Sequence, residues 1–161
     1  MEIRLAVKED IPALQRLLRQ VLMVHHGGRP DLFKADCEKY SRKELLEILK
    51  DRKKPVFVAV RNGAVAGYVF CILRRLKNNS ILTDIRTLHI DDFCVEERLR
   101  GQGIGTALFR YVRDYAKSLG CHNLTLNVWA LNEGARRFYE KCGLVPQKIG
   151  LETVFPEEDG E

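Results

Sequence analysis

Long apolar runs are absent from this sequence of 161 residues. A helix needs about 20 mostly apolar residues to cross a bilayer, and no stretch of the chain approaches that length. The start, Met1-Glu2-Ile3-Arg4, also lacks the apolar core of a secretory signal. We therefore expect a cytoplasmic protein with no membrane partner.

Paired cysteine motifs are also missing. The five cysteines are widely spaced, and no two of them form a Cys-x-x-Cys pair. They are Cys37, Cys71, Cys94, Cys121 and Cys142. Disulfide frameworks and zinc sites depend on paired or clustered ligands, and the adjacent His25 and His26 have none beside them. The sequence predicts reduced thiols and no metal.

A concentration of charge of one sign is lacking as well. The formal net charge is +5, but the 27 basic residues are scattered along the chain among 22 acidic ones. Nucleic-acid-binding domains usually gather Lys and Arg on one face or one helix. We expect no nucleic-acid partner, whereas a small anionic cofactor suits such a surface equally well.

The composition that is present is that of a globular domain, with 45% apolar and 30% charged residues. A chain of this length can bury a core without disulfides or a structural metal. No internal repeat or linker divides the chain. We expect one domain at residues 1–155, followed by a mobile acidic tail at 156–161.

Hydrophobic periodicity alternates between strand and helix patterns. Strands are predicted at residues 2–7, 55–60, 65–73, about 81–95 and 123–129, with a final strand pair between 144 and 155. The first helix should be capped by Asp10 and end before His25, and a second should begin near Ser41. A third should start at Gly103, and Asn132 should cap a fourth. This order predicts an α/β (α+β) fold whose mixed, mostly antiparallel sheet is flanked by about four helices.

The predicted third helix carries a stripe of apolar residues. Its members are Ile104, Ala107, Leu108, Tyr111, Val112, Tyr115, Ala116 and Leu119. We expect this stripe to face the core.

A glycine-rich turn, Arg100-Gly101-Gln102-Gly103-Ile104-Gly105-Thr106, lies between a predicted strand and this helix. The first N–H groups of a helix have no partner within it and attract anions. Glycines let an anion approach these amides, and Arg100 adds positive charge. The segment predicts a phosphate-binding turn, although glycines also occur in tight turns for purely conformational reasons.

Two common phosphate motifs do not match the turn. A P-loop requires Lys and then Ser or Thr after its last Gly, whereas Gly105 is followed by Thr106-Ala107. A dinucleotide-binding fingerprint that starts at Gly103 requires Gly at position 108, which is Leu108. Both nucleotide-binding interpretations therefore fail.

The turn resembles the acetyl-CoA signature of the GNAT superfamily of N-acetyltransferases, Q/R-x-x-G-x-G/A, through Arg100, Gly103 and Gly105. The resemblance continues at residues 90–95 and 126–144. It implies a GNAT-like fold and an enzyme that transfers acetyl from acetyl-CoA directly to a primary amine of a small molecule or peptide. A monomer and a homodimer are both compatible with it.

The resemblance also implies which residues bind the cofactor. The strand before the turn should pair with the pantetheine arm, the turn should hold the pyrophosphate, and later residues should complete the site. These residues are Phe93, Cys94, Val95, Arg100, Gly101, Gln102, Gly103, Ile104, Gly105, Thr106, Asn127, Asn132, Ala135 and Tyr139.

Catalytic roles follow from the same resemblance. An alkylamine has a pKa of about 10 and must lose a proton, for which Asp91 and Asp92 are the candidates. Neighbouring strand residues point to opposite faces unless a bulge intervenes, so we expect one of them, preferably Asp91, to reach the substrate. Alternatively, both aspartates are solvated or paired with basic neighbours. Tyr139 should protonate the departing thiolate, unless it is an ordinary packed aromatic.

Other interpretations remain open. Cys94 lacks a His partner in the motif region, which argues against a covalent intermediate. The residues between the first two helices should line part of the acceptor site; the polar and aromatic ones are His25, His26, Arg29, Asp31 and Phe33. The protein could use another acyl group or acceptor, or be a non-catalytic CoA-binding sensor or interaction module. Tyr139 and the acidic strand end favour the enzyme.

Overall fold

The computed structural model describes residues 1–158, which form five strands and four α-helices. The strands are β1 (Glu2–Leu5), β2 (Val56–Arg61), β3 (Ala64–Leu76), β4 (Ile85–Val95) and β5 (Asn123–Leu126). The helices are α1 (Ile11–Gly28), α2 (Arg42–Lys50), α3 (Ile104–Ser118) and α4 (Glu133–Lys141). Short 3₁₀ turns lie at Lys8–Asp10 and Glu97–Leu99.

All five strands form one sheet in the order β1-β2-β3-β4-β5. The first three pairs are antiparallel, whereas β4 and β5 are parallel and are connected through α3, as parallel neighbours require. Asn62 and Gly63 have φ values of 51° and 75° in the β2–β3 turn, and positive φ at both positions is what a two-residue hairpin turn needs. The predicted mixed, mostly antiparallel sheet with four helices is confirmed.

Hydrophobic cores lie on both faces of the sheet. On β2, Phe57 and Ala59 face α3, while Val56 and Val58 face α1 and α2. This alternation follows from the two-residue period of a strand. The sheet is consequently fixed from both sides, and β4 lies near its centre.

The buried stripe of α3 differs from the prediction at two positions. Phe109, which the prediction left out, is only 2% exposed, whereas Tyr111 is 41% exposed. Tyr111 lies at the margin of the stripe, where its ring edge still packs against Phe57. The ring is therefore half in contact with the core and half in solvent.

Several predicted boundaries were wrong. α1 continues through His25 to Gly28, because glycine near a helix end costs only about 1 kcal/mol relative to alanine. β4 begins at Ile85, since residues 81–84 have no strand partner. β5 ends at Leu126 rather than at residue 129, which is the point where it stops pairing with β4.

The predicted final strand pair is also wrong, because residues 144–158 have no regular secondary structure. Val145, Ile149 and Leu151 are 82%, 78% and 92% exposed. A period-two apolar pattern is not sufficient for a strand, which also needs a neighbouring strand to pair with. Residues 159–161 of the predicted tail lie outside the described residues.

None of the helices in residues 1–158 combines the length and apolar character needed to cross a bilayer. α1 is the longest of them at 18 residues and presents one apolar face to the core.

The loop before α1 is held by an ion pair between Arg4 and Asp10, with N–O distances of 2.7 and 3.1 Å. The Asp10 carboxylate also accepts the N–H of Val7 at 2.8 Å, so it does not cap α1 itself, contrary to the prediction. Burial by itself would raise the pKa of Asp10, but the hydrogen bonds from Arg4 and Val7 outweigh it and lower the pKa.

Replacing Asp10 with Asn should lower the free energy of unfolding by about 1–3 kcal/mol at pH 7, because Arg4 loses its charged partner. Because the pKa of Asp10 is lower in the folded state than in the unfolded state, its carboxylate stabilises the fold above the unfolded-state pKa of about 4. This contribution is lost as the pH falls through the folded-state pKa of Asp10. Urea titrations should therefore show the two proteins converging below about pH 4. Glu9→Gln, at a side chain 67% exposed, is the control and should have little effect. Equal losses from both changes would contradict this account.

Candidate active site

The two parallel strands, β4 and β5, separate at one end of the sheet. β4 and β5 pair from Thr87 and Asn123 up to Ile90 and Leu126, after which β5 ends and β4 continues to Val95. On its other side, β4 remains paired with β3 as far as Val95. In the described chain, the edge of residues 91–95 that faces away from β3 therefore has no strand beside it.

A glycine on β3 holds this end of β4 close. A Cβ atom at Gly67 would lie 2.8 Å from the carbonyl oxygen of Cys94, which is nearer than non-bonded atoms allow. Any larger residue would push the strands apart. The absence of a side chain at Gly67 therefore lets β3 hold the free edge of β4 in position.

The predicted phosphate-binding turn follows this edge after the 3₁₀ turn Glu97–Leu99 and leads into α3. Gly101 and Gly103 have φ values of 74° and 82°, and a Cβ atom on either would meet nothing within 4 Å. Space therefore lies open in front of the helix N-terminus, where backbone N–H groups point outward. The two glycines supply both the left-handed backbone and the room that an anion needs.

The other residues of the turn serve different purposes. The Ile104 side chain is 2% exposed and belongs to the core, so only its backbone faces the turn. A Cβ atom at Gly105 would lie 3.3 Å from the Phe138 ring, which shows that this glycine lets α4 approach α3. Arg100 donates to the Val95 carbonyl at 3.3 Å, and Gln102 accepts a hydrogen bond from Arg61.

Helix α4 closes over the same end of β4. Its N-cap is confirmed as Asn132, whose side-chain oxygen accepts the N–H of Ala135 at 3.2 Å. The ring of Phe93 on β4 lies 5.7 Å from that of Phe138 and 6.0 Å from that of Tyr139. Asn127 is exposed just beyond the end of β5.

The phenol of Tyr139 remains protonated at neutral pH. Burial raises its pKa, and the negative charge of Asp92 raises it further. A protonated phenol is what the predicted role of Tyr139 requires, and that role stays a prediction.

A β-bulge brings the two aspartates together. Phe70 pairs with Asp92 and Cys71 pairs with Ile90, so Asp91 has no partner on β3. Lys39 consequently contacts both carboxylates, at 2.8 Å from Asp92 and 3.8 Å from Asp91. The bulge interrupts the strand alternation that would send only one of the two aspartates to the substrate, so the choice between them stays a prediction.

The two carboxylates differ in their surroundings. Asp92 is 8% exposed and accepts a hydrogen bond from the Tyr68 hydroxyl at 3.0 Å. Asp91 is 34% exposed and lies 3.5 Å from the Tyr40 hydroxyl. Asp92 is thus the more enclosed and better held of the two.

An aromatic cluster connects α1 with the segment that follows β5. The Phe33 ring lies 4.9 Å from His25 and 5.3 Å from Trp129. His26 hydrogen-bonds to the Phe33 carbonyl at 2.7 Å. Burial lowers the pKa of His25, which is nearby, and outweighs the opposing effect of Asp92.

Two of the residues predicted for the acceptor site are engaged in ion pairs. Arg29 pairs with Asp31 at 2.7 Å and also with Glu152. This second contact connects Glu152 to the residue that follows α1.

Sequence reasoning missed three members of this site, Lys39, Tyr40 and Tyr68. Tyr68 lies in an apolar strand and is fully buried, which resembles any core aromatic. Lys39 and Tyr40 precede the Ser41 cap of α2 and match no motif. Only the tertiary fold brings them to the aspartates.

Cys94 does not have the properties of a nucleophile. The side chain is 3% exposed, and burial raises the pKa of its thiol to about 12. It is a neutral thiol within the core that faces α1. Residues 1–158 contain no group of three or more His, Cys, Asp or Glu side chains suited to holding a metal ion.

Comparison with known proteins gives a consistent result. A sequence profile described as the acetyltransferase (GNAT) family matches residues 22–144. An uncharacterized N-acetyltransferase of Methanocaldococcus jannaschii is 30% identical over 70% of this chain and 48% of its own length. The chain spans about half the length of the curated relatives it matches.

Solved structures share the fold. A crystal structure of a mutant protein from Bacillus halodurans covers 97% of this chain and 100% of its own, with a TM-score of 0.93 and 27% identity. Glucosamine-6-phosphate N-acetyltransferase from Arabidopsis thaliana covers 96% of this chain and 98% of its own, with a TM-score of 0.70 and 21% identity. At that identity, the second likeness shows the fold alone.

Proposed function

The chain belongs to the acetyltransferase (GNAT) family, and from this premise we propose that it transfers an acetyl group from acetyl-CoA directly to a primary amine. The observation that supports the proposal most strongly is the separation of β4 from β5 next to the open N-terminus of α3. One end of the sheet thus offers an open helix N-terminus, an unpaired strand edge, two carboxylates and a half-buried phenol. An acyl donor with a pyrophosphate and an amide-containing arm matches the first two features.

The donor site is assigned to the turn and the free strand edge. The pyrophosphate would lie against the N–H groups from Gly101 to Thr106, in the space left open at Gly101 and Gly103. The backbone of residues 93–95 would pair with the amides of the pantetheine arm, much as an added strand would. Asn127, just after β5, and Asn132, at the start of α4, would complete the donor site.

The acceptor site is assigned to the aspartate pair. An incoming primary amine is an ammonium ion at neutral pH and must lose a proton before it can attack. We favour Asp92 over Asp91 as the group that receives it, because Asp92 is more enclosed and its position is fixed by Tyr68. Tyr139, across from Phe93, would supply a proton to the leaving sulfur. The acetyl group would then pass to the amine without a covalent enzyme intermediate, consistent with the buried neutral thiol of Cys94.

A panel of primary amines tests this function. The purified chain with acetyl-CoA should convert at least one alkylamine, amino sugar, amino acid or peptide amine into its N-acetyl product, detected by mass spectrometry. The rate should exceed that of the same mixture without protein. Tight CoA binding with no acetylated amine across the panel would instead favour the non-catalytic sensor.

Tyr139→Phe should lower kcat by about tenfold or more and leave KM for acetyl-CoA nearly unchanged, because it removes a proton donor but keeps the ring against Phe93. Steady-state kinetics on the best amine of the panel provide the measurement. Tyr111→Phe, on the half-exposed side of α3, should have no effect on kcat. Unchanged turnover of Tyr139→Phe across the pH range would refute the role of Tyr139.

Gly103→Val should weaken CoA binding by about tenfold or more, because the side chain projects into the space assigned to the pyrophosphate. Calorimetric titration with CoA measures this directly. Gly120→Val is a matched control, since Gly120 has a φ of 70°, equally open surroundings and a place just past the opposite end of α3. Equal affinities of the two variants for CoA would refute the assignment of the pyrophosphate to this turn.

A further inference from the structure

Lys39 makes an unusual contact for a lysine of this chain. It lies between α1 and α2, yet its ammonium reaches β4 and contacts both Asp92 and Asp91, at 2.8 and 3.8 Å. Within residues 1–158, the other ion-paired lysines are Lys8 and Lys50, and each contacts one glutamate close in sequence. The Lys39 ammonium also lies 5.5 Å from the centre of the Tyr40 ring.

This contact places an ammonium ion where the proposed function places the ammonium of the acceptor. Burial by itself would lower the pKa of Lys39, but attraction to Asp92 and Asp91 outweighs it and raises the pKa. Lys39 is therefore charged before reaction, as an external primary amine would be. The side chain is 31% exposed, so it is neither sealed in the core nor free in solvent.

We infer that Lys39 is itself an acetyl acceptor and that the protein acetylates its own Lys39 side chain. The inference rests on the proposed function, since it uses the same carboxylate and the same acyl donor. It assigns a modification site to the segment between α1 and α2 and identifies an unbranched alkylammonium as a group that fits the aspartate pair.

The chemistry balances without a further reactant. Lys39 gives one proton to Asp92, and its nitrogen then forms a bond to the acetyl carbonyl carbon as the carbon–sulfur bond of acetyl-CoA breaks. Of the two protons that the ammonium loses, one ends on the CoA sulfur, by way of Tyr139, and the other is released from Asp92 to solvent. The products are N-acetyl-lysine and CoA.

Acetylation would change the charge of the site. Neutral N-acetyl-lysine cannot form ion pairs with Asp92 and Asp91. The site loses the positive charge of Lys39, and its net charge becomes more negative. Conversely, an external ammonium must displace Lys39 before it reaches Asp92. Acetylation of Lys39 should therefore be fastest without an external amine.

The test is incubation of the full chain with acetyl-CoA and no amine, followed by intact-mass measurement and peptide mapping. We expect a gain of about 42 Da, one acetyl group, on Lys39. The rate should be independent of protein concentration because the reaction is intramolecular. Lys39→Arg, which keeps the ion pair but cannot be acetylated here, should abolish the gain.

Lys34→Arg is the matched control, because Lys34 is an exposed lysine of the same segment, and it should leave acetylation of Lys39 unchanged. Asp92→Asn should slow acetylation of Lys39 by about tenfold or more and leave the background acetylation of Lys34 unchanged. Acetylation spread evenly over Lys34 and Lys39, as in heat-unfolded protein, would overturn the inference. If the amine panel gives N-acetyl product while Lys39 stays unmodified, the inference fails and the proposed function stands. If neither is acetylated, both fail.

Discussion

The early end of β5 is the constraint on which the rest of this molecule depends. A central strand normally has a partner on each side, but β4 has only β3 beyond Ile90. Its remaining residues can stay extended only because β3 continues to pair with them and Gly67 allows a close approach. The loss of one set of backbone hydrogen bonds thereby creates an edge that a ligand can use.

The elements around this edge are coupled through packing as well as chain connectivity. Only the short 3₁₀ turn Glu97–Leu99 separates the glycine turn from β4, so the N-terminus of α3 lies next to the edge. Helix α4 approaches α3 at Gly105 through Phe138, and the same ring contacts Phe93 on β4. A glycine in the phosphate-binding signature thus contributes to the placement of Tyr139, in addition to any part it takes in binding an anion.

Much of this architecture could be predicted from the sequence because it depends on local signals. Asn62-Gly63 specifies the hairpin turn, Ser41 and Asn132 specify helix starts, and the glycine turn specifies the junction of β4 and α3. Each of these residues acts on its own backbone or on that of residues within a few positions. Local signals of this kind can be recognised in a single sequence.

The bulge at Asp91 and the approach of Lys39 and Tyr68 to the aspartates could not be predicted in this way. A bulge depends on the register between two strands, and no residue type specifies it. Lys39 is separated from Asp92 by 53 positions, and the contact arises only when α1 and α2 pack against the sheet. Residues 144–155 show the opposite case, because the sequence predicts a strand pair there and the segment has no regular secondary structure.

Backbone hydrogen exchange with and without CoA tests the central claim most directly, because the claim concerns amides rather than side chains. Binding should slow exchange at residues 93–95 of β4 and at 103–106 at the start of α3, and leave the interior strand β2 unchanged. Protection confined to other segments, or none at either site despite saturating CoA, would contradict the assignment of this edge and turn as the cofactor site.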